Sequence, residues 1–166
     1  FNILLMVTPK SVGHAEVIWE ELERRGWMFA QCIPCVEPAA DGNGVAEFTV
    51  DPEQYGEFLC KLFDRWAARL EGTISLRTFD DFLVAAMTGE NPTCMFRPMC
   101  GDYYVVEHNG EVYPCDFFVE PQWFLGNLME QPIEQVLANP RWGEFRRRKQ
   151  RLSQECRECE FLRWCW

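Results

Sequence analysis

Six cysteines that fall into two groups are the strongest constraint on what this chain can fold into. The first group has the pattern Cys-x5-Cys-x14-Cys, the second has the pattern Cys-x2-Cys-x5-Cys, and the members are Cys94, Cys100, Cys115, Cys156, Cys159 and Cys165. Thiolate sulfurs that reach one point from short loops are the ligands that polynuclear iron centres and zinc prefer in proteins. The spacing therefore predicts a metal centre and leaves iron and zinc both open.

The composition indicates a cellular compartment for this chain and argues against nucleic acid and membranes as its partners. Nine cysteines are an odd number, and no segment has the flanks of a signal peptide, so we expect a reducing cytoplasm rather than a disulfide framework. The net charge of −10 argues against nucleic acid, because phosphate binding depends on Lys and Arg. The one basic run, residues 146–151, is interpreted as a solvated helix face. The apolar run at residues 3–7 is far too short to cross a bilayer, so we expect no membrane association.

The first third of the chain has the pattern of a strand, a helix and a second strand. Residues 2–8 form a nearly continuous apolar run, typical of a strand buried on both faces of a parallel sheet. Ser11 is expected to cap a helix over residues 12–25, Gly26 to end it, and residues 27–34 to form the second strand. Such a unit predicts a parallel pair with a right-handed crossover, within a larger sheet or barrel.

Further elements follow. Residues 52–70 predict a helix, and its apolar stripe contains Tyr55, Leu59, Leu62, Phe63, Trp66 and Leu70. Beyond it we expect a short strand at residues 74–78 and a helix over residues 80–88 that ends at Gly89. These elements are predicted to be core and scaffold.

The composition changes near Cys94, where the chain becomes rich in cysteine and turns. We therefore expect one domain over residues 1–90 and a second over residues 91–166, held together by metal as much as by its core. In the second domain the Asn-Gly pair at 109–110 predicts a hairpin. Its strands are residues 103–107 and 111–113, and short helices follow at 132–139 and 140–145.

The residues around the cysteines resemble a known family. The stretches VVEHNGEVYPCDFFV, LGNL and CRECEFLRWC, together with the cysteine spacing, resemble the SPASM domain of radical S-adenosylmethionine (SAM) maturases, in particular the anaerobic sulfatase-maturating enzymes. FNILLMVT and QCIPCVEP are similar to the last barrel strands of that family. The resemblance implies an α/β fold class: the last β/α units of a partial (β/α)6 radical SAM barrel, followed by a small cysteine-rich SPASM domain with a β-hairpin and short helices.

The resemblance also implies cofactors. The two cysteine groups match the ligands of two auxiliary [4Fe–4S] clusters: the first takes Cys94, Cys100 and Cys115, and the second takes Cys156, Cys159 and Cys165. Each cluster of the family has four thiolates, and this chain opens on Phe1 and ends at Trp166, so we expect an internal fragment whose missing ligands lie beyond its end. A third cluster, which binds SAM through a Cys-x3-Cys-x2-Cys loop, is expected outside the fragment, because no such loop occurs in it.

Asp116, which directly follows Cys115, matches the general base proposed for this family. The resemblance implies oxidation of a Cys or Ser in an unfolded sulfatase polypeptide to Cα-formylglycine. A 5′-deoxyadenosyl radical takes a hydrogen from the substrate, a base takes the thiol or hydroxyl proton, and the auxiliary clusters accept the electron. An electron donor such as flavodoxin or ferredoxin is the implied second partner. The structural alternative is that Asp116 caps a turn.

Two other functions fit the same residues. Another SPASM maturase would act on a different peptide, and a zinc-ribbon-like module would use four-thiolate sites without redox chemistry. The remaining candidates are interpreted as structural. Cys32 and Cys35 are expected to be buried or loop thiols, with Cys35 at the barrel mouth, Cys60 a small core residue, and His14 and His108 turn or surface residues.

Overall fold

The computed structural model describes residues 1–68, 74–101 and 103–166. They divide into two compact units, Phe1–Leu83 and Val84–Trp166. The change of composition places the predicted domain boundary after residue 90, slightly further along the chain than this division.

The first unit is built on a parallel sheet. Its strands are β1 (Ile3–Val7), β2 (Phe29–Pro34) and β3 (Ser75–Leu76), in that order across the sheet. Both strand pairs are parallel, and the sequence predicts this for β1 and β2. Burial of β1 on both faces is wrong: Leu4 and Met6 are more than half exposed, whereas Val7 is buried. Among the described residues, nothing packs closely enough on that face of β1 to cover them.

The crossover between β1 and β2 is a 3₁₀ turn at Val12–His14 followed by helix α1 (Ala15–Arg25). The prediction that Ser11 caps this helix is wrong. Its hydroxyl instead accepts a hydrogen bond from the backbone N–H of Thr8 at 2.9 Å, so it stabilises the turn after β1. The end of the helix is as predicted, because Gly26 adopts the left-handed conformation with φ 64° and its N–H bonds back to the last turn.

Helix α2 (Pro52–Ala67) contributes several aromatic residues to the core of the first unit. It begins at Asp51, whose carboxylate accepts hydrogen bonds from the backbone N–H groups of the first turn at 3.0 Å. Phe58 and Leu62 are fully buried in the cluster that covers the sheet. The helix ends at Ala67, and the rest of the predicted range, including Leu70, lies outside the described residues.

The cysteines of this unit differ in burial. Cys32 on β2 is buried, and burial raises the pKa of its thiol to about 12. Cys35, just after β2, is half-buried. The expectation that Cys60 is a core residue is wrong, because it lies on the exposed side of α2. Phe63 on the same helix is also 46% exposed, although the stripe pattern predicts a core position.

Helix α3 (Arg77–Thr88) starts earlier than predicted and ends as predicted. Helix α3 follows β3 without a loop, and Ser75 on β3 donates a hydrogen bond to Asp80 in the first turn of the helix. Gly89 follows with φ 82° and closes the helix by a bond from its N–H to Ala85 O. The division between the two units falls within this helix.

The second unit contains an antiparallel sheet of three very short strands. They are β4 (Val105–Val106), β5 (Glu111–Tyr113) and β6 (Gly126–Asn127), in that order. Gly110 sits in the turn between β4 and β5 with φ 85°. Strand β6 is absent from the sequence prediction, because two residues are too few to give an alternating pattern.

Short helices complete the second unit. They are α4 (Ile133–Leu137), α5 (Pro140–Arg146) and α6 (Gln154–Glu158). The sequence analysis missed α6, which Ser153 caps by accepting from the backbone N–H of Cys156. One small hydrophobic cluster contains Val112, Leu125 and Val136 with partly buried neighbours, and Tyr113 and Phe145 are also buried. None of the helices in the described parts of the chain has the length and apolar composition that a bilayer span requires.

Helix α2 offers a matched test of this core. Replacing buried Phe58 by Ala should lower the free energy of unfolding by about 3–5 kcal/mol, because it removes a ring and leaves a cavity. Phe63→Ala makes the same chemical change at a 46% exposed position and should cost only about 1 kcal/mol. Urea unfolding followed by circular dichroism measures both. Equal losses would contradict the assignment of Phe58 to the core.

Candidate functional site

The antiparallel register brings three polar side chains together at the open end of the β4–β5 pair. Val105 lies opposite Tyr113, and continuing this register outward sets Tyr103 opposite Cys115. Asp116 follows Cys115 directly and begins a 3₁₀ turn that ends at Phe118. The turn at Gly110 closes the opposite end of the pair. The candidate site is therefore placed by backbone pairing.

Tyr103 makes the main polar contact of this site. Its hydroxyl donates a hydrogen bond to Asp116 Oδ1 at 2.7 Å and lies 3.7 Å from Cys115 Sγ. The Cys115 thiol also faces Asp116 Oδ1, at 3.5 Å. The sequence analysis missed Tyr103, although the Asn-Gly turn fixes a register from which its position opposite Cys115 could have been counted.

Partial burial is the main cause of the raised pKa of Tyr103 and of Cys115, the two neighbours of Asp116. Burial raises the pKa of the Tyr103 hydroxyl, and the hydrogen bond to Asp116 raises it further, so the phenol stays protonated and acts as a donor. Burial also raises the pKa of the Cys115 thiol, while the backbone N–H of Phe117 opposes this by donating toward its sulfur. Asp116 itself is exposed at the surface. Its carboxylate is thus accessible to a ligand.

Aromatic residues and one arginine pack against the turn that carries Asp116. The Arg148 guanidinium lies 4.3 Å from the ring centre of Phe118, 5.0 Å from Trp123 and 5.5 Å from Phe145. Phe118 and Trp123 also make edge contacts with the ring of Phe145. Arg148 is exposed, in line with the interpretation of residues 146–151 as a solvated face, and it also contacts this turn through cation–π interactions.

Lys149 connects the segment between Cys94 and Cys100 to the last residues of the chain. Its ammonium group donates to the backbone oxygens of Cys94 at 3.1 Å, Arg97 at 3.2 Å and Trp166 at 3.2 Å, and also to that of Met95. Lys149 is half-buried, so it departs from the interpretation of the basic run as a solvated face. A lysine has three donors and no acceptor, which suits a cluster of carbonyl oxygens.

The six grouped cysteines differ in their surroundings. Cys94, Cys100 and Cys115 are half-buried, and Cys156, Cys159 and Cys165 are exposed. Within residues 1–68, 74–101 and 103–166, no three His, Cys, Asp or Glu side chains are arranged as a metal site. The two predicted ligand sets therefore stay predictions. The donor chemistry fits iron and sulfide, because every cysteine is a free thiol and Cys115 has a backbone N–H directed at its sulfur.

Known proteins resemble this chain closely. Residues 94–160 match the SPASM family, an iron–sulfur cluster-binding domain. The chain is 32% identical over 167 residues to a cysteine-type anaerobic sulfatase-maturating enzyme of Clostridium perfringens, covering 99% of this chain and 45% of the relative. It is 41% identical over 125 residues to a serine-type enzyme of Bacteroides thetaiotaomicron, covering 74% and 30%.

Solved structures agree with the sequence matches. Native anSMEcpe with bound AdoMet superposes with a TM-score of 0.90 at 30% identity, over 99% of this chain and 46% of that protein. A second structure of native anSMEcpe, with AdoMet and the Cp18Cys peptide, matches equally well. The chain thus spans less than half the length of these relatives. The predicted resemblance to anaerobic sulfatase-maturating enzymes, the α/β content and the iron–sulfur domain are confirmed.

The contacts of Lys149 predict its effect on stability. Lys149→Met removes a donor group that reaches several backbone oxygens, and we expect the free energy of unfolding to fall by about 1.5–3 kcal/mol. Lys61→Met, at an exposed position on α2, is the matched control and should change it by less than about 0.5 kcal/mol. Thermal unfolding compares the two. Similar values for both variants would show that the Lys149 contacts contribute little.

Proposed function

We propose that the protein containing this chain is a radical SAM oxidoreductase that converts a Cys or Ser of a sulfatase to Cα-formylglycine. The observation that carries the proposal is the placement of Asp116 beside Cys115 within a segment that matches an iron–sulfur domain. The relatives named above carry the corresponding enzyme names for both cysteine-type and serine-type substrates. The chain itself supplies part of that machinery.

The two units correspond to two parts of the proposed enzyme. We assign the parallel order β1-β2-β3 to the last β/α units of a partial (β/α)6 barrel, which ends near residue 90. We assign residues 91–166 to the SPASM domain, with the β4–β5 pair as its hairpin. The superposition with anSMEcpe, which covers 99% of this chain, supports this assignment of the two units.

The six grouped cysteines are the proposed metal ligands. Cys94, Cys100 and Cys115 would hold one auxiliary [4Fe–4S] cluster, and Cys156, Cys159 and Cys165 would hold another. When bound, such clusters supply an acceptor for the electron that leaves the substrate. A further cluster and SAM would bind in the part of the enzyme that these relatives have and this chain does not cover.

Asp116 is the proposed proton acceptor. Oxidation of a thiol or hydroxyl side chain to the aldehyde level requires that the S–H or O–H proton leave. The exposed carboxylate of Asp116 can receive it at an oxygen beside Cys115. The turn-cap alternative has less support, because the carboxylate accepts from the Tyr103 hydroxyl, and the described part of the chain contains no backbone N–H bonded to it.

The chemistry implies partners for this protein. The substrate would be an unfolded sulfatase polypeptide, and a flavodoxin or ferredoxin would supply electrons for the SAM reaction. Nine free thiols fit a reducing cytoplasm. A net charge of −10 offers little attraction for nucleic acid.

Iron content tests the ligand assignment. In the whole enzyme, Cys115→Ala and Cys159→Ala should each lower iron and sulfide by about one cluster, because a cluster rarely survives loss of one thiolate. Cys60→Ala, at an exposed cysteine of α2, should leave both unchanged. Anaerobic purification, iron and sulfide assays and visible absorption provide the measurement. Zinc in place of iron would favour the zinc-module alternative, and equal iron loss in all three variants would reject the ligand sets.

Asp116→Asn tests the proton acceptor. An amide keeps the size of the side chain and cannot take up the proton, so formylglycine production should fall at least a hundredfold. Iron content and SAM cleavage should stay near wild type, because Asp116 is not a proposed ligand. Mass spectrometry of a sulfatase peptide measures the product. A wild-type yield from Asp116→Asn would remove Asp116 from the mechanism. A wild-type enzyme that modifies only a peptide unrelated to sulfatases would favour another SPASM maturase.

A further inference from the structure

We propose that Tyr103 is a positioning residue, whose hydroxyl holds one oxygen of the Asp116 carboxylate so that the other oxygen is presented to the substrate. The observation is the 2.7 Å hydrogen bond from Tyr103 Oη to Asp116 Oδ1. In the described parts of the chain Oδ2 has no hydrogen bond. The inference rests on the proposed role of Asp116 and goes beyond it by naming what orients that side chain.

Backbone pairing determines the position of this contact. Tyr103 lies opposite Cys115 when the register of β4 and β5 is continued outward, so its side chain and those that follow β5 meet at one end of the sheet. Phe118, in the turn that begins at Asp116, packs against both Arg148 and Phe145. The aromatic packing fixes the backbone that carries Asp116, and the tyrosine fixes the carboxylate.

An exposed aspartate needs such a restraint. Its carboxylate rotates freely when only water surrounds it, and loss of alignment in a proton transfer costs rate. The described residues include no ion pair to Asp116, so no cation orients it. The Cys115 thiol is the other donor near Oδ1, at 3.5 Å. The Tyr103 hydroxyl, at 2.7 Å, is the nearer of these two donors.

The adjacent residue provides a matched control. Tyr104 carries the same phenol, but its ring stacks on Trp142 with centroids 4.1 Å apart and belongs to the small core of this unit. In the described part of the chain no hydrogen bond joins the Tyr104 hydroxyl to Asp116. Tyr103→Phe and Tyr104→Phe therefore remove the same atom from neighbouring positions, and only the first removes the hydrogen bond to the carboxylate.

The experiment compares these variants in the whole, cluster-loaded enzyme. Formylglycine formed per 5′-deoxyadenosine released should fall about tenfold in Tyr103→Phe, the expected effect of one hydrogen bond to a charged group. We expect the loss in kcat, with the KM for the sulfatase peptide within twofold of wild type. Tyr104→Phe should match wild type. Iron content and unfolding temperature should be unchanged in both.

A spectroscopic measurement tests the contact without turnover. The infrared carboxylate band that disappears in Asp116→Asn identifies this side chain, and it should shift in Tyr103→Phe but not in Tyr104→Phe. An unshifted band, a product ratio within twofold of wild type, or equal losses in both variants would overturn the inference. If Asp116→Asn is inactive while Tyr103→Phe is fully active, only the positioning role fails. If Asp116→Asn is active, the proposed base itself fails.

Discussion

The antiparallel register of β4 and β5 is the constraint on which the candidate site depends. The strands have only two and three residues, and their pairing sets Tyr103 opposite Cys115. Because side chains alternate along a strand, a slip by one residue would turn Tyr103 away from Asp116. The hydrogen bond, the access of the carboxylate and the direction of Cys115 Sγ therefore follow from one backbone arrangement.

A short basic segment supplies the support around this sheet. Arg148 makes a cation–π contact with Phe118 in the turn that starts at Asp116. Lys149 donates hydrogen bonds to backbone oxygens of the segment that begins at Cys94. Adjacent residues thus act on the surroundings of two cysteines of the first group. The hydrophobic cluster of the unit, which contains Val112, Leu125 and Val136, is small, and polar and cation–π contacts add to it.

The sequence predicts elements with strong local signals and misses those that arise from tertiary contacts. The αL glycine at Gly26 and the Asn-Gly turn at Gly110 have backbone requirements that few residues meet, so both were found. Ser11 fits the statistics of a cap, but the nearby N–H of Thr8 competes for its oxygen. Cys115 is predicted from the cysteine spacing, and Asp116 only from the resemblance to the sulfatase-maturating family. Tyr103 and Lys149 were missed, because their roles depend on partners distant in sequence.

The turn at Gly110 combines a local backbone requirement with a tertiary contact. A Cβ at this position would lie 2.6 Å from Asn127 Oδ1, and φ 85° is unfavourable for any side chain. Asn127 in turn donates to the backbone oxygen of Asn109 at 3.1 Å, so β6 closes over the turn and holds it. The residues that set the register thus lie at the end of the sheet away from Asp116. Substitutions there can alter the geometry of the carboxylate without touching it, since the register is common to both ends.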